Sequence, residues 1–182
     1  MILSKNLPKL LILLSIISTS ACTNISPSPN DVKYSNIEIK NKYPYSISLL
    51  VTGDENDLLV TFLTSNDLML IIKNSIIKTG IFKKVIEGAQ SDYTLQVDAD
   101  VVALQTIPSE FKVAGGWRLI KNPTNKVILD EFITATGLAT FDDEFWGTDR
   151  QRLALLRAVE KFVKQGITKL DDISSSEFKN KI

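Results

Sequence analysis

Tyr93-Thr94-Leu95-Gln96-Val97-Asp98-Ala99-Asp100-Val101 alternates apolar and polar side chains without interruption. Successive side chains of a strand point to opposite faces, so Tyr93, Leu95, Val97, Ala99 and Val101 form one face and Thr94, Gln96, Asp98 and Asp100 the other. Such a strand has a buried side and a wet side, as in a sheet covered by a second layer on one face only. Downstream, residues 111–121 read as another strand, with Gly115-Gly116 as a bend or bulge in its middle. Asn122-Pro123-Thr124-Asn125 is a turn, and residues 127–136 return as the partner strand of a hairpin.

On the N-terminal side, residues 37–40 alternate as a short strand and 45–52 read as a longer one. Gly53-Asp54-Glu55-Asn56-Asp57 is a polar turn before a second apolar, strand-like run at 58–63. Ser65 stands as the N-cap of a helix with Asp67 in its first turn; the helix runs to Lys78, and Gly80 ends it. Residues 82–87 form a short strand. On the C-terminal side, 141–147 make an acidic and aromatic loop, and Thr148 opens the last helix with Gln151 as its capping-box partner. Leu153, Leu156, Val159, Val163 and Ile167 share one face of that helix, with Arg150, Arg157, Lys161 and Lys164 on the opposite one. These elements predict an α+β fold. It is a two-layer sandwich with a mainly antiparallel sheet of about five to six strands and two main helices, in a single globular domain over 37–182.

The chain begins with Lys5 and Lys9 as a short positive head, an apolar run from Leu10 to Ile17, and Ser18-Thr19-Ser20-Ala21-Cys22. This is the three-part layout of a secretory signal peptide. The apolar run is about half the ~18–20 residues that a bilayer-spanning helix needs. Ser20-Ala21-Cys22 resembles the lipobox of bacterial lipoproteins, with Thr19 where Leu is commonest. Small residues let a peptidase grip an extended backbone, and the thiol can be alkylated by a lipid before the cut. Residues 1–21 are therefore expected to be a signal peptide cut between Ala21 and Cys22, with the lipid on Cys22. Residues 22–36, rich in Ser, Pro and Asn, are expected to follow as a flexible tether. Cys22 is the only cysteine, so no internal disulfide can form, and lipidation accounts for an exported thiol. One acyl chain holds weakly, at about 0.8 kcal/mol per buried CH₂, whereas the two or more that a lipobox implies hold firmly. Thr23 rather than Asp follows the cysteine, which by resemblance to the sorting rule of enteric bacteria favours the outer membrane.

Removal of residues 1–21 from the 182 leaves 161, enough for one domain with a real core. Loss of Lys5 and Lys9 lowers the 21 basic residues to 19 against 21 acidic ones, a net charge of −2. That balance argues against general nucleic-acid binding, which leans on a basic surplus. The chain has no histidine, so Ser-His-Asp and Cys-His catalysis, histidine-ligated zinc and a histidine pH switch are all excluded. With the one thiol committed to lipid, thiolate metal sites go too. Neither a metal nor a cofactor is expected.

Surfaces remain as candidates. The basic face of the last helix, Arg150, Arg157, Lys161 and Lys164, is set either to meet anionic headgroups or to be a plain solvated face. Phe145 and Trp146, with Trp117 brought near in some foldings, form either an aromatic anchor or plugs of a core edge. Together, Arg150, Arg157, Lys161, Lys164 and Trp146 make the expected interaction surface. In the first helix, Leu68, Met69, Ile72 and Ile76 cover one side, and Leu70 and Ile77 the other. Such a helix either sits in the core or turns an apolar side to a lipid or partner. Asp142-Asp143-Glu144 with Asp149, and likewise Asp54 to Asp57, lack the ligand alternation and glycine of a calcium loop. Asp98 and Asp100 are paired carboxylates on a wet face, without an accompanying nucleophile.

From the first helix onward the order of features is familiar. Leu68 to Phe82 ends in Ile77-Lys78-Thr79-Gly80-Ile81-Phe82, and Asp92-Tyr93-Thr94-Leu95 opens the alternating strand. Trp117-Arg118-Leu119-Ile120 is followed by a turn and Lys126-Val127-Ile128, then Gly137, the loop to Gly147, and Arg150-Gln151-Arg152-Leu153-Ala154. Over residues 68–170 this resembles a group of poorly characterised lipoproteins of Gram-negative bacteria, and more distantly the auxiliary lipoproteins of ABC-type lipid transporters. The resemblance implies no catalytic residues. It implies a non-enzymatic adaptor or accessory subunit in envelope maintenance or lipid trafficking, with an envelope protein or lipid as partner and the membrane held through Cys22. The alternative is a lipid- or hydrophobe-binding module that uses the apolar surface of the helix at 68–78.

Overall fold

A computed structural model describes residues 27–32, 37–53, 63–88, 90–104, 108–173 and 177. The signal peptide, Cys22, the acidic turn at 54–57 and most of the apolar run at 58–63 lie outside the described residues. The elements follow as β1 (Tyr43–Thr52), α1 (Ser65–Thr79), β2 (Phe82–Val85), β3 (Tyr93–Leu104), β4 (Ser109–Lys121), β5 (Lys126–Ala139) and α2 (Gly147–Asp171). The strands form one mixed sheet in the order β2-β1-β3-β4-β5. The long β3–β4 and β4–β5 ladders are antiparallel and carry most of the pairing. β1 is parallel to both of its neighbours. Parallel neighbours need a crossover, and α1 makes it between β1 and β2.

The predicted α+β sandwich is what forms. α1 packs against β1 and β2, α2 packs against β4 and β5, and the two helices touch. The alternation of β3 is realised: Tyr93, Leu95, Val97 and Ala99 are buried, while Asp98 and Asp100 are exposed. Trp117 lies wholly inside, edge-on to Phe162 of α2, with ring centroids 5.6 Å apart. Two glycines bring α2 down onto this layer. A Cβ on Gly137 would lie 2.0 Å from the Ala154 carbonyl oxygen, and one on Gly166 would lie 2.3 Å from the Trp117 ring.

Several local expectations are corrected. Residues 37–40 are not a strand, because the backbone N–H groups of Lys40 and Asn41 donate to the Asp171 carboxylate rather than to a ladder. The N-cap of α1 is Thr64, not Ser65: the Thr64 hydroxyl oxygen accepts from the Asp67 N–H at 3.0 Å. α2 begins at Gly147, which puts Thr148 inside the helix, where its hydroxyl has no capping role, and no side chain caps this end. The Gly115-Gly116 pair is not a bulge. Pairing runs straight through it, and the irregularity falls at Leu119/Ile120. Gly115 is instead a point of close approach, since a Cβ there would meet the Asp98 carbonyl oxygen of β3 at 2.2 Å. On α2 the deepest residues include Ala154, Leu155, Ala158, Phe162 and Gly166, while Leu153 and Leu156 are only half-buried.

Candidate functional site

Three of the four basic side chains expected to face outward are engaged within the fold. Arg157 donates to both carboxylate oxygens of Asp143, at 2.6 and 2.9 Å, and to the Leu138 carbonyl oxygen at 2.7 Å. Lys161 donates to the Thr136 carbonyl oxygen at 2.9 Å. Both carbonyls belong to β5, an edge strand of the sheet. Arg150 donates to the carbonyl oxygens of Glu144 and Phe145, each at 3.0 Å, and its guanidinium stands 4.0 Å over the Phe141 ring. Lys161 and Lys164 are both exposed, but of the four only Lys164 shows no side-chain bond among the described residues. This stripe is chiefly a set of clamps that tie α2 to the sheet edge and to the loop before it.

The aromatic loop behaves in the opposite way. Phe141, Phe145 and Trp146 are 56, 74 and 68% exposed. Phe145 and Trp146 pack edge to face, with centroids 5.5 Å apart. Trp117 is not with them but in the core. The loop is held in place by its polar residues. Asp143 accepts from the Thr140 N–H at 2.9 Å and from Arg157, and the arginine holds its carboxyl well below the usual carboxylate range. That is the work of the acidic cluster's central member, and it explains the residue without a metal.

The other candidates dissolve into structure. Asp98 accepts from the Thr52 hydroxyl at 2.9 Å on the exposed sheet face. Leu68, Ile72 and Ile76 of α1 lie in the core, as the central-helix reading had it, and Met69 is half-covered. The large apolar residue of this helix left exposed is Ile77, on the side away from those three.

Two features escaped the sequence reading. The first is a polar network at the start of β3. The Ser46 N–H and hydroxyl donate to Asp92 at 2.7 and 2.6 Å, and these bonds lower its pKa. Ser91 bonds Ser48, Ser48 bonds Thr94, and Asn122 joins Thr94 to Ser91. Nothing in the spacing of these residues signals that network, because it joins β1 to the start of β3 and to the turn after β4. The second is the docking of the chain ahead of the domain. Residues 27–32 fall inside the expected tether, yet Val32 is buried and Asp31 forms an ion pair with Arg152 of α2. The Ser28 N–H, followed by Arg152, lowers the Asp31 pKa. Beyond it, Asp171 takes the N–H groups of Lys40 and Asn41, and the Tyr43 hydroxyl donates to the Ile173 carbonyl oxygen at 2.9 Å. The N-terminal segment is thus tied to both ends of α2.

No protein-family model matches this chain, and no curated protein matches its sequence. Its fold, however, is shared with solved structures. A hypothetical protein of Chlamydia trachomatis aligns with a TM-score of 0.57 at 7% identity, over 73% of this chain and 99% of that one. A Xanthomonas campestris protein of family DUF330 aligns at 0.55 and 13% identity, over 80% of this chain and 94% of that one. A minor lipoprotein of Acinetobacter baumannii aligns at 0.50 and 10% identity, over 69% of this chain and 91% of that one. At such identities the likeness is one of fold. This α+β arrangement is one that the Acinetobacter baumannii lipoprotein also has.

Proposed function

We propose that this chain is a lipoprotein held on the outer membrane through Cys22, and that its domain is a non-enzymatic adaptor or accessory subunit in envelope maintenance or lipid trafficking. One observation carries the reading. A signal-peptide layout ends on the chain's only cysteine, and nine residues later Asp31 is already paired with Arg152 of the folded domain, with Val32 buried beside it. An anchor placed there has a domain directly behind it. The shared fold with an Acinetobacter lipoprotein supports the same assignment. The absence of histidine and the engagement of Asp98 and Asp143 in structural bonds support a role through surfaces rather than chemistry. A part in ABC-type lipid transport follows from the sequence resemblance alone.

The test is labelling with palmitate in a Gram-negative host, followed by separation of the two membranes. The chain is expected to take up label and to sediment with the outer membrane. Cys22→Ser is expected to abolish labelling and to leave uncut or mislocalised precursor. A substituted chain that is still processed and membrane-bound refutes the anchor. For the adaptor role, crosslinking in living cells is expected to recover an envelope protein. Recovery of none, with an unaltered envelope on deletion, counts against it.

A further inference from the structure

Among the described residues ten large apolar side chains are left exposed, and six of them gather at one end of the molecule: Val102, Leu104, Leu138, Phe141, Phe145 and Trp146. The register places them together. Leu104, Glu110 and Leu138 lie side by side near the end of the β3, β4 and β5 ladders, and Val102 is two rows back on the same face as Leu104. Phe141, Phe145 and Trp146 belong to the connection that leaves the same end of β5 for α2. The aromatics are displayed rather than collapsed. Arg150 fixes the carbonyls on either side of the Glu144–Phe145 bond and stacks on Phe141, while Asp143 is fixed by Arg157.

The chain leads to its anchor from this end. Asp31 is pinned to Arg152, which is six residues beyond Trp146 and so about 9 Å along the helix axis. From Pro27 five residues lead back to Cys22, and five residues reach no more than about 18 Å in any conformation. From Arg152 to Asp171 the helix α2 rises over 19 residues, about 29 Å, so its far end, near the turn between β4 and β5, is out of that reach.

We propose that this end is a membrane-docking surface: with Cys22 lipidated, Phe141, Phe145 and Trp146 seat in the headgroup–acyl boundary of the bilayer that carries the anchor. The inference rests on the lipid-anchor reading above. The Trp146 ring, apolar with one polar edge, favours that boundary, Phe141 and Phe145 add apolar area beside it, and a rigid loop places them there without a further loss of conformational freedom. Asp142, Glu144 and Asp149 are exposed on the same rim, so the contact suits a zwitterionic surface and gains little from anionic lipid. It is an apolar contact that added salt barely changes.

The chain's two tryptophans make the test direct, because Trp117 is wholly buried and Trp146 is not. The full chain, purified from membranes, is reconstituted in phosphatidylcholine vesicles with brominated acyl chains. Trp146 emission is expected to shift to the blue and to lose most of its intensity, at low and high salt alike. In the Trp146→Phe variant only unquenched Trp117 emission should remain. Trp146 emission that escapes the brominated lipid, yet stays open to aqueous acrylamide in the anchored chain, overturns the proposal. So does a blue shift that needs no bilayer and grows with protein concentration, since that puts a second copy of the chain on this end. The mass of the Cys22 peptide reports lipidation separately. If Cys22 arrives unmodified the anchor reading fails, and a maleimide phospholipid coupled to this sole thiol then puts docking to the same two outcomes.

Discussion

Gly137 and Gly166 mark the places where α2 comes nearest the sheet, and they separate two kinds of crowding. At Gly166 an added methyl meets the Trp117 ring at 2.3 Å, and that ring is locked in the core by Phe162. Glycine to alanine inside a helix ordinarily gains about 1 kcal/mol, whereas overpacking a core costs about 1–3 kcal/mol. The two terms oppose, and the clash with a fully buried ring should win. Gly166→Ala is expected to destabilise by about 1–2 kcal/mol in urea unfolding followed by Trp117 emission. At Gly137 the methyl would meet backbone, the Ala154 carbonyl oxygen and the Ala158 nitrogen, so the helix itself must rise. No helix propensity compensates there. Gly137→Ala should therefore cost more than Gly166→Ala, toward about 3 kcal/mol, and equal losses would refute this account of the contact. Asp171 poses a different problem, a buried carboxylate that satisfies two backbone donors. Asp171→Ala leaves the Lys40 and Asn41 N–H groups without that acceptor and should cost about 2–3 kcal/mol. Hydrogen exchange at Lys40 and Asn41 should rise in the same variant.

At the scale of elements, β5 is an edge strand, and an edge is an invitation to pair with another chain. Arg157 and Lys161 reach over it to the Leu138 and Thr136 carbonyls. Exposed ion pairs contribute only about 0–1 kcal/mol, so the double variant Arg157→Ala, Lys161→Ala should unfold at nearly the wild-type urea concentration. Its expected defect is self-association, read by light scattering against concentration. A strongly destabilised variant that stays monomeric would contradict the edge-cap assignment. These same residues show where sequence alone stops. The alternation from Tyr93 to Val101 was legible because a one-sided sheet imposes a period of two, and the 111–136 hairpin was legible through its turn. The parallel pairing of β1 was not, since an apolar strand reads alike in either direction. Residues 37–40 alternate convincingly, yet their donors go to Asp171, more than a hundred residues away. Arg157 and Lys161 fell on the correct face of the last helix. What helical periodicity could not say is that this face overlooks a sheet edge rather than open water. Trp146 was legible as aromatic, but its exposure depends on Arg150 and Asp143 holding the loop.

The whole molecule titrates in a way that its composition and its bonds jointly determine. Asp31, Asp92, Asp143 and Glu177 are all held below ordinary carboxylate values, by Ser28, Ser46, Arg157 and Lys126 in turn. A carboxyl whose pKa is lower folded than unfolded stabilises the fold above its unfolded value. That contribution is lost as pH falls through the folded value. Stability should therefore hold down to about pH 4 and then decline. On the alkaline side, burial pushes the hydroxyls of Tyr43 and Tyr93 up to about 12. A group whose pKa is higher folded than unfolded contributes fully below its unfolded value, near pH 10, and loses that contribution as pH rises through the folded one. Between these limbs the chain has no histidine to titrate. Calorimetric Tm measured across pH is thus expected to give a plateau from about pH 5 to 9, with no step near 6.5. Tyr93→Phe should shallow the alkaline limb and leave the acid limb unchanged, while Asp143→Asn should do the reverse. A Tm step between pH 6 and 7, or an alkaline limb indifferent to Tyr93→Phe, would show that other groups govern the fold's response to pH.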